Sequence, residues 1–370
     1  MSPPEISSES IHAWRFQASG LVQPFQNLQS CARQLCGLQA QIHVAAGLAA
    51  SARVKDLTLS GFDASLWQAR SLVKIWGQRG TLHVYQQADW PLIQRVWNGS
   101  SWWKRRYLEA GLGKAQDYEA LIQQVEKLAL SSEVVGRSDL RNAGFPDSLL
   151  SSWGGIFSDL VYRGLLCHAP RAGSEGKFAH RANWLPSLPW VSPADAHARK
   201  EVIRRYLAAY GPATAQDLAH WAGWPVAQAR TLLSAKSADW EAVQVAGQVQ
   251  WLLRQDLDSL RQAEQADLPL MLLSRFDPLI LAHKDKSWLI EPADYKKVWQ
   301  KAGHVEACFL EQGKILGTWR YQRKSTRLQL NFYPFAPLKT NMKKKLENRA
   351  QEIAKFFELQ QLECQFQDGV

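Results

Sequence analysis

The sequence predicts an α+β fold in which a unit of short helices and a strand pair recurs, followed by a strand-rich region that ends in a helix. Three observations carry this expectation. Helical apolar spacing alternates with paired strand patterns three times before about residue 262. From about 263 onward the period shortens to two and turn signals multiply. The 370 residues are too many for one core and suit several domains. The expected segments are 8–110, 111–192, 193–262 and 263–370.

In the first unit, Phe25, Leu28, Ala32 and Leu35 share one helical face, and residues 43–52 are rich in helix formers. Asp63 is the expected N-cap of another helix. Two strands, Ser71 to Gly77 and Thr81 to Tyr85, flank a turn at Gln78-Arg79-Gly80 in which Gly80 supplies positive φ. Helices followed by such a hairpin are the plan of a winged helix. The second unit has a helix carrying Tyr118, Leu121, Ile122, Val125 and Leu128, then a short helix capped at Ser138-Asp139. A third helix is expected from Leu149 to Arg163, with Gly164 as its stop. A strand from Gly164 and a wing-like loop from Arg171 to Gly176 complete the unit.

In the third unit a helix from Ala196 to Ala209 ends at Tyr210-Gly211-Pro212. Thr214 caps the next helix, Gly223-Trp224-Pro225 is a turn, and a helix follows from Val226 to Ser234. The last segment offers strands at Pro269–Leu273, Ser287–Ile290 and Leu328–Tyr333, and a hairpin around Gln312-Gly313. Several short strands with turns point to a barrel-like sheet. A helix from Lys339 to Phe357 closes the pattern, its Lys343-Lys344-Lys345 run read as a solvated face.

The formal charge of +10 and pI of about 9.4 favour a polyanionic partner, most commonly nucleic acid. No apolar run is long enough to cross a membrane, and the first residues lack the pattern of a secretory signal. Cys31, Cys36, Cys167, Cys308 and Cys364 are dispersed, which fits small buried hydrophobes in a reducing cytoplasm rather than disulfides or a zinc site. Neither a metal nor another cofactor is expected.

Four motifs then stand out: Gly37-Leu38-Gln39-Ala40-Gln41; Trp76-Gly77-Gln78-Arg79-Gly80-Thr81-Leu82-His83; Tyr210-Gly211-Pro212-Ala213-Thr214 with Asp217 and Trp221; and Phe276-Asp277-Pro278 through Lys286 with Gly317-Thr318-Trp319-Arg320. In this order and spacing they resemble the bacterial winged-helix DNA glycosylases that unhook DNA crosslinks, the AlkZ-type enzymes and their broader YcaQ-type relatives. The resemblance spans nearly the whole chain. It implies tandem winged helices and a β-barrel around a DNA-binding face. It also implies cleavage of the N-glycosidic bond of alkylated purines without metal or covalent enzyme intermediate. The family's Gln-apolar-Gln element lies at its catalytic centre, which maps onto Gln39, Ala40 and Gln41. Relatives of the broader branch tend to carry a carboxylate at the second polar position. Gln41 therefore points to the AlkZ-like branch.

The residues are chemically suited to that role. Positions i and i+2 face one side only in an extended segment, and the glutamines sit between two helical patterns. Each carboxamide has an acceptor and two donors, so a pair can hold a water beside the sugar C1′. Glutamine is not a useful base near neutral pH, so such a site needs a leaving group that is already cationic, an N7-alkylguanine or N3-alkyladenine. Efficient excision of uracil would contradict this reading.

Arg79 at a hairpin tip either contacts phosphate or only solubilises the turn. His83 either lines the cleft or is a packed, hydrogen-bonded histidine. Arg320, Arg323 and Lys324, with Arg327, either grip phosphate or form a solvated sheet face. Asp277 reads as a turn signal rather than an acid or base. The expected partner is double-stranded DNA bearing alkylated or crosslinked purines, met by a monomer in the bacterial cytoplasm, at the nucleoid. The competing reading is a winged-helix DNA-binding protein or regulator without chemistry.

Overall fold

Residues 3–99, 102–151, 154–263 and 268–367 are described by a computed structural model. Two compact units divide the chain: Met1–Phe62 with Lys200–Val370, and Asp63–Arg199.

In the first unit, α1 (Ser8–Ala18) starts where the Ser7 hydroxyl accepts from the Ser10 amide at 3.1 Å. Asn27 and Ser30 exchange a reciprocal capping box that opens α2 (Leu28–Gln34). Cys36 and Gly37, at φ 52° and 99°, turn the chain out of α2 into β1 (Leu38–Gln39). The apolar helix α3 (His43–Ser51) follows, then α4 (Leu59–Trp67). Asp63 is not the cap of α4. Thr58 is, with its hydroxyl accepting from the Gly61 amide at 3.1 Å, so Asp63 lies inside the helix.

In the second unit, β2 (Leu72–Trp76) pairs antiparallel with β3 (Leu82–Gln86), from Leu72↔Gln86 to Trp76↔Leu82. Arg79 and Gly80, both at positive φ (57° and 66°), make the turn. The helices α5 (Trp90–Val96), α6 (Trp102–Glu109) and α7 (Ala115–Leu130) follow, and Tyr118 on α7 is fully buried. The short α8 (Arg137–Asn142) is capped by Gly136 rather than at Ser138-Asp139; Asp139 instead accepts the Gly136 N–H at 2.7 Å. The expected long helix is shorter, α9 (Ile156–Tyr162), and residues 152–153 of its expected span lie outside the described residues. Gly164 at φ 73° stops it. Strands β4 (Leu166–Ala172) and β5 (Glu175–His180) form a second hairpin, so the expected loop shrinks to a turn at Gly173-Ser174. Phe178 stacks on Phe157 at 4.5 Å and on Trp76 at 6.2 Å. After α10 (Arg181–Trp184), α11 (Asp195–Tyr210) begins.

Back in the first unit, α12 (Ala215–Ala222) carries a capping box between Thr214 and Asp217, and Gly223 at φ 74° ends it. With α13 (Val226–Ser234) and the hairpin of β6 (Trp240–Val245) and β7 (Gln248–Leu253), it completes a helix–turn–helix with a wing. The N-terminal residues add to this hairpin: the Ile6 amide donates to the Gln244 carbonyl at 2.9 Å and the Gln244 amide to Pro4 at 2.8 Å. Ile6, Ile11, Val243, Val245 and Leu252 bury one another there, with Leu260 of α14 (Leu257–Gln262).

The last region is built on β8 (Met271–Leu273), β9 (Ala307–Glu311), β10 (Lys314–Arg323), β11 (Arg327–Pro334) and β12 (Gln361–Phe366), in the order β12-β11-β10-β9-β8. Two short helices, α15 (Pro278–Leu281) and α16 (Tyr295–Val298), precede β9, and α17 (Thr340–Phe356) precedes β12. The sheet is open, not the expected barrel-like closure: β8 and β12 are its two edges. Leu346, Ala350, Ile353 and Phe356 of α17 pack with Leu328, Leu330 and Phe332 of β11 in one core. Ser287–Ile290 is turn and bend rather than strand, because Asp285 accepts from the Ser287 amide at 2.9 Å and the Leu289 amide donates to the Lys286 carbonyl at 2.8 Å. The β12 strand, parallel to β11, was not anticipated.

Candidate active site

The Gln-Ala-Gln segment is set by the elements on either side of it. Upstream, the Tyr210 hydroxyl donates to the Leu35 carbonyl at 3.0 Å, and the Gly37 amide donates to Ala32 at 2.8 Å. Ala40 is fully buried, Gln39 is 8% exposed and Gln41 is exposed, so the alanine anchors the loop between the two carboxamides. The chain is extended through Gln39, bends at Gln41 and Ile42, and enters α3.

Ile42, the residue after Gln41, lines a cavity of about 570 Å³, together with Ala45 and Leu48 of α3. Its opposite side is polar: Arg275, Gln300, His304, Glu306 and Arg320. The Glu306 side chain is 4% exposed and accepts from Arg320 at 2.8 Å, with His304 Nε2 at 3.7 Å. Arg275 donates to His304 Nδ1 at 2.9 Å, which leaves the histidine proton on Nε2, toward the carboxylate. This cavity suits a ligand by size.

Deeper in the same unit lies a buried ion pair. Arg53 donates to both oxygens of Asp277, at 2.7 and 2.8 Å, and to the carbonyls of Ser19 and Ala49, each at 2.8 Å. Both side chains are fully buried. Asp277 Oδ1 also caps α15 by accepting the Leu279 amide at 2.9 Å, so Asp277 is structural, as its turn signal suggested. His283 Nε2 donates to the Tyr210 carbonyl at 2.9 Å, and Asp217 accepts the Lys284 amide at 2.7 Å. Two of the four sequence motifs thus lock onto each other behind the glutamines.

A family model described as "DNA glycosylase AlkZ-like" matches residues 32–356. The chain belongs to the AlkZ-like DNA glycosylase family. It is a DNA glycosylase, and the reading as a regulator without chemistry falls away. An "Interstrand DNA cross-link repair glycosylase" of Streptomyces sahachiroi is 25% identical over 364 residues, covering 95% of this chain and 96% of that protein. The solved structure of the Streptomyces sahachiroi DNA glycosylase AlkZ matches with a TM-score of 0.82 at 23% identity, over 98% of this chain and 100% of that one. That likeness establishes the α+β fold.

In this AlkZ-like chain the residues expected from sequence fall into three places. Gln39 and Gln41 precede Ile42, which lines the cavity that Arg320 also lines; neither glutamine is among the lining residues. Arg320, Arg323 and Lys324 share one hairpin, with Arg323 and Lys324 exposed at its tip beside Arg327. In the second unit Arg79 occupies the β2–β3 turn, whereas His83 on β3 is 2% exposed, with Nδ1 3.0 Å from the Thr81 carbonyl. Burial, then the nearby Arg79 charge, holds the His83 pKa down to about 3. Of its two readings, the packed histidine agrees with that position.

Arg275, His304 and Glu306 were missed. Glu306 had a signal: it is a lone acid directly before the apolar run Ala307–Leu310. Among the described residues there is no group of three or more His, Cys, Asp or Glu placed to hold a metal, and no helix long and apolar enough to cross a membrane. Cys31, Cys36, Cys167 and Cys308 are buried, whereas Cys364, also expected to be buried, is only partly so.

Proposed function

We propose that this glycosylase repairs DNA by hydrolysing the N-glycosidic bond of cationic alkylated purines, N7-alkylguanine and N3-alkyladenine, and that it unhooks interstrand crosslinks. The observation that carries the reading is the Gln-Ala-Gln segment: two carboxamides hung on a buried alanine and followed by Ile42, which lines a ligand-sized cavity. The name of the Streptomyces relative supports the crosslink substrate. Gln39 and Gln41 hold a water by its hydrogens next to C1′, and the positive charge already on the purine makes a strong base unnecessary. Neither metal nor enzyme-linked intermediate enters this scheme. Arg79, Arg323 and Lys324 meet DNA phosphates. His83 holds the β2–β3 turn rather than touching DNA.

The deciding experiment uses a labelled duplex with one N7-methylguanine, treated with alkali after incubation with enzyme, with and without EDTA. Strand breakage that survives EDTA and is lost in Gln41→Ala supports the reading. Equal cleavage by Gln41→Ala removes the glutamines from the mechanism, and loss with EDTA introduces a metal. A duplex carrying an interstrand N7 crosslink, run in parallel, tests the unhooking.

We read the chain as four modules, 8–110, 111–192, 193–262 and 263–370, because the first three contain a strand pair each, β2–β3, β4–β5 and β6–β7. Limited proteolysis with cuts near their borders supports this; protection there opposes it. We also assign the enzyme to the cytoplasm, at the nucleoid, as a monomer. Light scattering at working concentration tests the monomer, and imaging of a tagged chain tests the location.

A further inference from the structure

The proposed function leaves Glu306 without a task, although its burial is costly. A carboxyl group 4% exposed has given up most of its hydration, and Arg320 pairs with it at 2.8 Å. Around it the groups form a chain: Arg275 donates to His304, His304 Nε2 faces Glu306 Oε1, and Arg320 donates to that same oxygen. The Gln300 carboxamide approaches the same oxygen at 3.4 Å. All five line the cavity that begins at Ile42. The Arg320 side chain remains 60% exposed, and its guanidinium lies 5.7 Å from the ring of Tyr333. A guanidinium has five donors in a rigid fork, and the Glu306 bond uses one edge of it. The remaining donors belong to a largely exposed side chain that lines a cavity whose charged lining is two arginines against one carboxylate.

We propose that Glu306 is a positioning residue that aims Arg320 at the DNA phosphate next to the damaged nucleotide. Resting on the glycosylase reading above, this adds the group that sets where the backbone sits relative to the glutamines. Arg320 grips the phosphodiester; Glu306 touches no DNA and acts through Arg320.

A sign argument makes the proposal testable. Removing a negative charge near DNA tightens binding if charge alone matters, because less anion repels the backbone. A positioning role predicts the reverse. Binding of a fluorescent duplex with one N7-methylguanine is measured by anisotropy over a series of KCl concentrations. The proteins are wild type, Glu306→Gln, Glu306→Asp, Arg320→Ala and the double variant Glu306→Gln/Arg320→Ala, each checked for an unchanged melting curve.

Arg320→Ala should weaken binding about tenfold or more and reduce the slope of log K against log salt by about one unit. Glu306→Gln should weaken binding despite its more positive charge, and the double variant should bind no worse than Arg320→Ala alone. Glu306→Asp, which keeps the charge but shortens the reach, should fall between wild type and Glu306→Gln. Equal or tighter binding by a folded Glu306→Gln overturns the proposal, as does a double variant whose losses add. If Glu306→Gln does not fold, the Asp variant carries the test alone, and wild-type affinity for it overturns the proposal. Binding is read without catalysis, so an absence of excision by wild type sinks the proposed chemistry and leaves this inference standing or falling separately.

Discussion

Arg53 and Asp277 show what a single buried charge requires. Each is fully enclosed, and the pair survives because the fork of the arginine meets both carboxylate oxygens while two carbonyls take two of its other three donors. Asp277→Ala therefore leaves an uncompensated guanidinium, and urea titration should show a loss of about 3–5 kcal/mol. Replacing both with apolar residues, as in Arg53→Met with Asp277→Leu, should cost less than the sum of the two single changes. Gln41, by contrast, is exposed, so Gln41→Ala should leave the urea midpoint near wild type while excision of N7-methylguanine falls by about 10²-fold or more. A single-turnover assay beside the urea curve separates those outcomes.

At the scale of elements, the β10–β11 hairpin carries three exposed cations, Arg323, Lys324 and Arg327, within its last turn. Replacing Arg323 and Lys324 together with Gln should reduce the salt slope of DNA binding by about two units if both meet phosphate; an unchanged slope returns the tip to solvent. Much of this element and of others was legible in the chain. Thr214 with Asp217 announced α12, Gly223 and Gly164 marked helix ends, and Arg79-Gly80 marked the turn between β2 and β3.

The misreadings have local causes. Ser287–Ile290 looks apolar enough for a strand, but Asp285 just before it winds the chain into a turn. β12 did have a signal, with Leu362, Cys364 and Phe366 alternating with polar residues, but its partner β11 is reached only across α17. Among the site residues, adjacency made the glutamines readable. The meeting of Glu306 with Arg320 and of Arg53 with Asp277 depends on the fold, which no local pattern encodes.

For the whole molecule, histidines whose pKa values are held down in the fold, His12, His83, His168, His180 and His283, shape the response to acid. Burial holds the pKa of His83 at about 3 and those of His168 and His283 well below the ordinary value. An unfolded histidine takes its proton near pH 6.5, whereas these stay neutral when folded. The unfolded chain therefore binds more protons below that pH. Stability is complete above about pH 6.5 and falls as the pH drops toward the folded values. Urea midpoints should decline between pH 6.5 and 5, before most carboxylates titrate, and His283→Gln should make that decline shallower. A flat profile would contradict the assignment.

The ion pair of Arg53 with Asp277 also has a consequence for how the chain is made. Its partners are 224 residues apart, and the intervening chain contains the whole of the second unit. A ribosome adding 5–20 residues per second takes roughly 11–45 s to pass from one to the other. For that interval the newborn Arg53, with α1, α2 and the glutamine segment around it, has no carboxylate to close upon, while residues 63–199 already have everything their own core needs. The glutamine segment is synthesised first and completed late. A nascent chain halted before residue 277 should resist protease within the second unit and remain cleavable across residues 8–62, until synthesis resumes.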